Sequence, residues 1–178
     1  MTISAQPNST RPAPRWVIRA AHVAALCPLP NGIWRLLLAA GFLGGYTEAG
    51  YDALGVTGWG AGYVVALSLA TEVLALLTLA LVRPWGETVP RRIPRLGGRR
   101  IPPRAVTATA WVVTAGLLAV WTPFLAWWAI PHPGMTPLGS TVVGFLYLPL
   151  VLWGPLLAAV TLSYQRRHRP ARRPARPR

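Results

Sequence analysis

Three stretches of this chain are long, apolar and nearly free of charge, and they constrain the fold more than any other feature. Gly60 to Val82 reads GAGYVVALSLATEVLALLTLALV, Ala105 to Ile130 reads AVTATAWVVTAGLLAVWTPFLAWWAI, and Gly139 to Tyr164 reads GSTVVGFLYLPLVLWGPLLAAVTLSY. A helix needs about 20 mostly apolar residues to cross the hydrocarbon core of a bilayer, and each stretch meets that length. A soluble domain rarely buries a helix so long and so uncharged. A fourth stretch, Trp16 to Leu43, is apolar overall but interrupted by Arg19, His22, Pro28, Pro30, Asn31 and Arg35. The pattern predicts an all-α polytopic membrane protein, a four-transmembrane-helix bundle with spans at about 16–43, 60–82, 105–130 and 139–164.

The first span is the irregular one. Pro28 and Pro30 remove backbone donors and clash with the preceding turn, which disfavours a straight helix. The sequence predicts an interfacial helix over residues 13–26, a break at CPLPNG, and a second helix from about Ile33, with Asn31 as its cap. The competing reading is one kinked helix that crosses throughout. Gly41 and Gly45 form a small-xxx-small pair at the outer end of this span. Pro123, Pro149 and Pro155 predict kinks in the third and fourth spans.

Charge sets the orientation. All 18 basic residues are arginine, against four acids, for a net charge of +14. On a soluble protein that balance points to nucleic acid, but here the charge falls in blocks between apolar runs. Arginine near span ends stays cytoplasmic. An inward N-terminus puts every arginine except Arg35 on the cytoplasmic side, whereas the outer loops at 44–59 and 131–138 have none. The expected protein is therefore a multi-pass protein of the plasma membrane with both termini cytoplasmic. The N-terminal tail, 1–12, lacks the pattern of a signal peptide and is expected to be retained and disordered, as is the Arg-rich tail 165–178.

Leu81 to Arg104 reads LVRPWGETVPRRIPRLGGRRIPPR. Its arginines (Arg83, Arg91, Arg92, Arg95, Arg99, Arg100 and Arg104) act first as a topology determinant. With Arg166 and Arg167 they also form a candidate contact for anionic lipid headgroups, worth about 1 kcal/mol each near the surface, or for an acidic membrane-protein partner. The run RPWGETVPRRIPRLGGRRIP after an apolar span resembles a basic loop common in uncharacterised actinobacterial four-span integral membrane proteins. The segment LPNGIWR, Leu29 to Arg35, is similar to a first-span motif of the same group. The resemblance implies a four-helix membrane fold and brings no activity with it.

Few residues offer chemistry. Glu72 falls near mid-bilayer in the second span, where a charged group costs from about 2.5 kcal/mol upward and normally faces a partner or water. Arg35 is the one arginine outside the cytoplasmic blocks, at a level its side chain can bridge. An intramembrane Arg35–Glu72 ion pair is expected between spans one and two. It reads two ways: as structural glue between helices, or as a proton or substrate relay in a small proton-coupled carrier. Ser68 and Thr71 lie close enough to hydrogen-bond nearby. Glu48, Asp52 and His132 could gather at a metal, but the glycine-rich loop GGYTEAGYDALGVTGW reads better as an interfacial turn anchored by Tyr46, Tyr51 and Trp59. With no nucleophile elbow, H-E-x-x-H, C-x-x-C, Walker loop or internal repeat in view, no catalytic residue, cofactor, metal or specific nucleic-acid contact is assigned. The sequence points to a non-enzymatic accessory or interaction protein that could form a homo-oligomer.

Overall fold

A computed structural model of the chain describes residues 13–83 and 102–168. The N-terminal tail 1–12, Arg91, Arg92, Arg95, Arg99 and Arg100 of the central loop, and the tail beyond His168 lie outside the described residues. The described residues are helical, with one isolated antiparallel bridge between Tyr46 and Met135. In order they form α1 (Arg15–Leu26), α2 (Leu29–Ala39), α3 (Glu48–Ala53), α4 (Trp59–Leu77), α5 (Pro103–Trp121) and α6 (Pro137–Arg167).

Three helical segments are long and apolar enough to cross a membrane: Trp59–Leu81, Pro103–Ala129 and Pro137–Arg167. The first is α4 with a 3-10 extension over Thr78–Leu81, and the second is α5 with a 3-10 extension over Thr122–Ala129 that has Pro123 in its first turn. α6 continues through Pro149 and Pro155 as one helix of 31 residues. It also passes the boundary expected at Tyr164. Arg166 and Arg167 favour its carbonyl end, and the Arg167 guanidinium donates to Leu81 O at 2.9 Å. These helices present large apolar side chains outward, among them Val73, Val112, Val120 and Phe145, which suits lipid and not water.

The segment read as the first span, 16–43, holds two short helices, not one. α1 has 12 residues and α2 has 11, each too short to cross alone. The break falls at Cys27–Pro28, where the missing Pro28 N–H interrupts the ladder. α2 starts earlier than the sequence predicts, because Pro30 falls in its first turn, where a missing donor costs nothing. Asn31 is therefore buried inside α2 and is not its cap.

Pairings along the helices fix the arrangement. Val17 and Ala21 of α1 share a core with Leu81, Val160 and Tyr164, whereas Trp34 and Leu38 of α2 share another with Tyr51, Met135 and Val143. α1 and α2 thus run one after the other, antiparallel to α4 and α6. α5 packs on α6, where Gly154 lies under Leu118 and Gly144 under Trp127. One end of the bundle gathers Arg15, Arg83, Arg104, Arg166 and Arg167.

The opposite end is closed by a two-fold clasp. Gly45-Tyr46-Thr47-Glu48-Ala49-Gly50 and Gly134-Met135-Thr136-Pro137-Leu138-Gly139 share the pattern G-x-T-x-x-G and lie antiparallel. Thr47 N donates to Gly134 O and Thr136 N to Gly45 O, both at 3.0 Å. The hydroxyls of Thr47 and Thr136 donate to the same two carbonyls at 3.2 Å. Each threonine also caps the following helix, accepting from Gly50 N at 3.1 Å and from Gly139 N at 3.0 Å. A Cβ on Gly50 would strike Gly134, and one on Gly139 would strike Gly45. Burial, with Tyr147 alongside, pushes the Tyr46 phenol above its ordinary range, so it stays neutral in the clasp. Gly41, read from sequence as a helix-contact glycine, lies beyond α2 with φ +95° and nothing near it. It closes α2 in a Schellman motif, with Phe42 N to Leu37 O and Gly41 N to Leu38 O, both 3.0 Å.

Candidate functional site

At the level of the α1–α2 break, α2 and α4 enclose a small polar recess. Asn31 and Arg35 are one turn apart on α2; Ser68 and Glu72 are one turn apart on α4, with Thr71 beside them. Pro28 closes the end of the recess at the break. Gly32 lets the helices approach, because a Cβ there would lie 3.0 Å from Glu72 Oε1. The hydroxyls of Ser68 and Thr71 donate to Val64 O and Leu67 O, both at 2.8 Å. Their protons are committed to their own helix, and only their lone pairs remain for the recess.

Two polar atoms in this recess have no partner among the described residues. Glu72 Oε1 is buried without a hydrogen bond, and so is Asn31 Nδ2 on a side chain only 4% exposed. Such orphans are uncommon in folded proteins and call for a physical account. Arg35 lines the same recess, half-buried, but no hydrogen bond or ion pair joins it to Glu72 among the described residues. The arrangement therefore holds an acid and a guanidinium within one recess with no hydrogen bond or ion pair between them, beside the α1–α2 break. An unpaired carboxylate in a low dielectric is costly. The two inexpensive states are a neutral carboxylic acid and a carboxylate engaged by Arg35.

The arginine-rich end divides by role. Arg167 is held within the fold: Nη2 donates to Leu81 O at 2.9 Å, Nε to Ser163 O at 3.4 Å, and the guanidinium lies 5.8 Å from the Tyr164 ring centroid. Arg83, Arg104 and Arg166 are exposed. Arg104 sits in the first turn of α5 and Arg15 opens α1, where a cation opposes the helix dipole. Helix stability does not account for those two positions.

Sequence reasoning singled out Glu72 and Arg35 but missed Asn31, Gly32 and the clasp. The signal for the first two was the i, i+4 spacing of Asn31 and Arg35 within α2. The clasp was not legible as a pair, because G-x-T-x-x-G also occurs at 55–60 and 139–144 and does not single out its two members. No protein-family model matches this chain, and no curated protein or solved structure matches it either.

Proposed function

We propose that this is a four-span helical membrane protein, with α1 and α2 together forming a broken first span and both termini cytoplasmic, and with no catalytic machinery of its own. Its role is that of an accessory or interaction protein whose arginine-rich end rests on anionic headgroups of the plasma membrane. The observation that carries this reading is the gathering of Arg15, Arg83, Arg104, Arg166 and Arg167 at one end of the bundle, while the clasp end carries Glu48 and Asp52. Each exposed arginine near an anionic surface contributes about 1 kcal/mol. The test is cysteine accessibility in a Cys27→Ser background. A membrane-impermeant maleimide should label Thr57→Cys on intact cells and reach Arg172→Cys only after lysis. The reverse pattern, or equal labelling of both, would refute it.

A second reading is favoured by the orphaned atoms of the recess. In it Glu72 is neutral while apart from Arg35, and loss of its proton draws Arg35 into an ion pair, as in a small proton-coupled carrier; the unpartnered Glu72 Oε1 supports it. Carboxyl groups beside discontinuous helices near the bilayer midplane are a recurring transporter arrangement. In proteoliposomes with a trapped pH dye, wild type should dissipate an imposed proton gradient. Glu72→Gln should not, at equal reconstitution. Equal dissipation by the two proteins, or none by wild type, removes this reading and leaves the recess as helix packing.

A further inference from the structure

The arginine-rich end carries a groove that helix packing leaves open. It has a volume of about 400 Å³ and lies between the start of α1 and the last turns of α6. Pro14, Trp16, Ala159, Leu162, Ser163 and Arg166 line it. Its chemistry is graded along α6. Ala159 and Leu162 come first, and Arg166 follows Leu162 by one turn, so the wall passes from apolar to cationic over roughly 10 Å. Trp16 forms the facing wall and is 57% exposed. Arg167, also at the groove, is turned to Leu81 O and Ser163 O, which leaves Arg166 as the cation at its mouth.

No acidic side chain lies at this mouth among the described residues. Glu48 and Asp52 lie at the clasp end and Glu72 lies in the middle of α4. α1 opens on Pro14 with no side-chain cap, so its first amides add to the positive charge of Arg15 and Arg166. An apolar slot running into such a mouth matches a molecule with a hydrocarbon chain on one side and a negative group on the other.

We propose that this groove seats an anionic phospholipid, with an acyl chain against Trp16, Ala159 and Leu162 and the phosphate at Arg166 beside the start of α1. This inference rests on the arginine-rich end meeting lipid and names the place where one lipid is held. A zwitterionic lipid fits less well, because the same field repels its choline. Inorganic phosphate lacks the chain that fills the apolar slot.

The test is native mass spectrometry of the full-length chain released from mild detergent, with phosphatidylglycerol, phosphatidylcholine or inorganic phosphate added. Wild type should retain phosphatidylglycerol in preference to phosphatidylcholine and ignore phosphate. One guanidinium near the headgroup corresponds to about fivefold in affinity, so Arg166→Gln should lose about that factor and Arg166→Lys should recover most of it. Leu162→Trp, which fills the slot at an outward position, should reduce binding of both lipids. A companion variant with Arg91, Arg92 and Arg95 changed to glutamine leaves the groove intact and should keep the preference. If wild type shows no preference at all, the broader reading of the arginine end falls together with the groove. If Arg166→Gln keeps the preference and the loop variant loses it, the groove alone is wrong. Competition by inorganic phosphate as strong as by the lipid overturns the acyl-chain half. A lipid-insensitive mass of two chains assigns the groove to a second copy and overturns the proposal.

Discussion

Replacing Gly139 by alanine tests the two-fold clasp most directly. The new Cβ would lie 2.6 Å from both the Cα and the carbonyl carbon of Gly45. Ordinary carbon–carbon contacts are about 3.5–4.0 Å, so the two loops must part by roughly 1 Å. That separation stretches the two hydrogen bonds from Thr136 to Gly45 O, now 3.0 and 3.2 Å, at about 1 kcal/mol each. Overpacking adds about 1–3 kcal/mol. Alanine returns up to about 1 kcal/mol of helix propensity at this α6 position. The net expectation is a loss of about 2–4 kcal/mol. Gly116→Ala is the control, since nothing lies within 4 Å of a Cβ there. The same chemical change should then be neutral or stabilising by up to about 1 kcal/mol. Denaturation in mixed micelles, followed by far-ultraviolet circular dichroism, reads both. Gly50→Ala should cost as much as Gly139→Ala, and the double variant should cost less than the two together, because one clash already opens the clasp. If Gly139→Ala unfolds alongside Gly116→Ala, or if the two clasp variants add fully, the clasp does not hold the two outer loops together.

Further outcomes follow from other contacts. Gly41→Ala should destabilise by about 1 kcal/mol through its φ of +95° alone, with Gly41→Asn recovering part of the loss; an unchanged unfolding midpoint would mean the Schellman turn does not close α2. Arg167→Ala removes the donor to Leu81 O and should cost about 1–2 kcal/mol in the same assay, more than Arg166→Ala, which breaks no described contact; equal costs would refute the assigned division of roles. A double-mutant cycle on Arg35 and Glu72 should give little coupling at acid pH and about 0.6–1.7 kcal/mol at alkaline pH, between the average and the largest coupling of polar pairs between membrane helices. Coupling that is independent of pH would refute a proton-dependent pair.

Hydropathy alone located the three segments that are long enough to cross, because length and the near-absence of charge are one-dimensional properties. The first span was harder. Its two prolines announced a break, but the sequence could not show that Pro30 would be absorbed into the first turn of α2, which carried Asn31 from the cap into the interior. Gly41 and Gly45 have the spacing of a helix-packing pair, yet only the backbone conformation reveals that Gly41 ends a helix and Gly45 faces Gly139. Glu72 was conspicuous as a lone acid in an apolar run. Its surroundings were not, because Asn31 and Gly32 reach it through the packing of α2 on α4. The clasp joins loops far apart in the chain, and nothing short-range marks its two members as partners.

On the proposed four-span reading, the break between α1 and α2 bears on how the chain enters the bilayer. Neither α1 nor α2 is long enough to span alone, and α2 carries the buried, unpartnered amide of Asn31. On that reading, residence of this segment in the lipid depends on its packing against α4 and α6, and its integration is expected to be late and cooperative. Truncation after Val82 should leave the N-terminal segment accessible to added protease in a cell-free translation with membranes, where the full chain protects it.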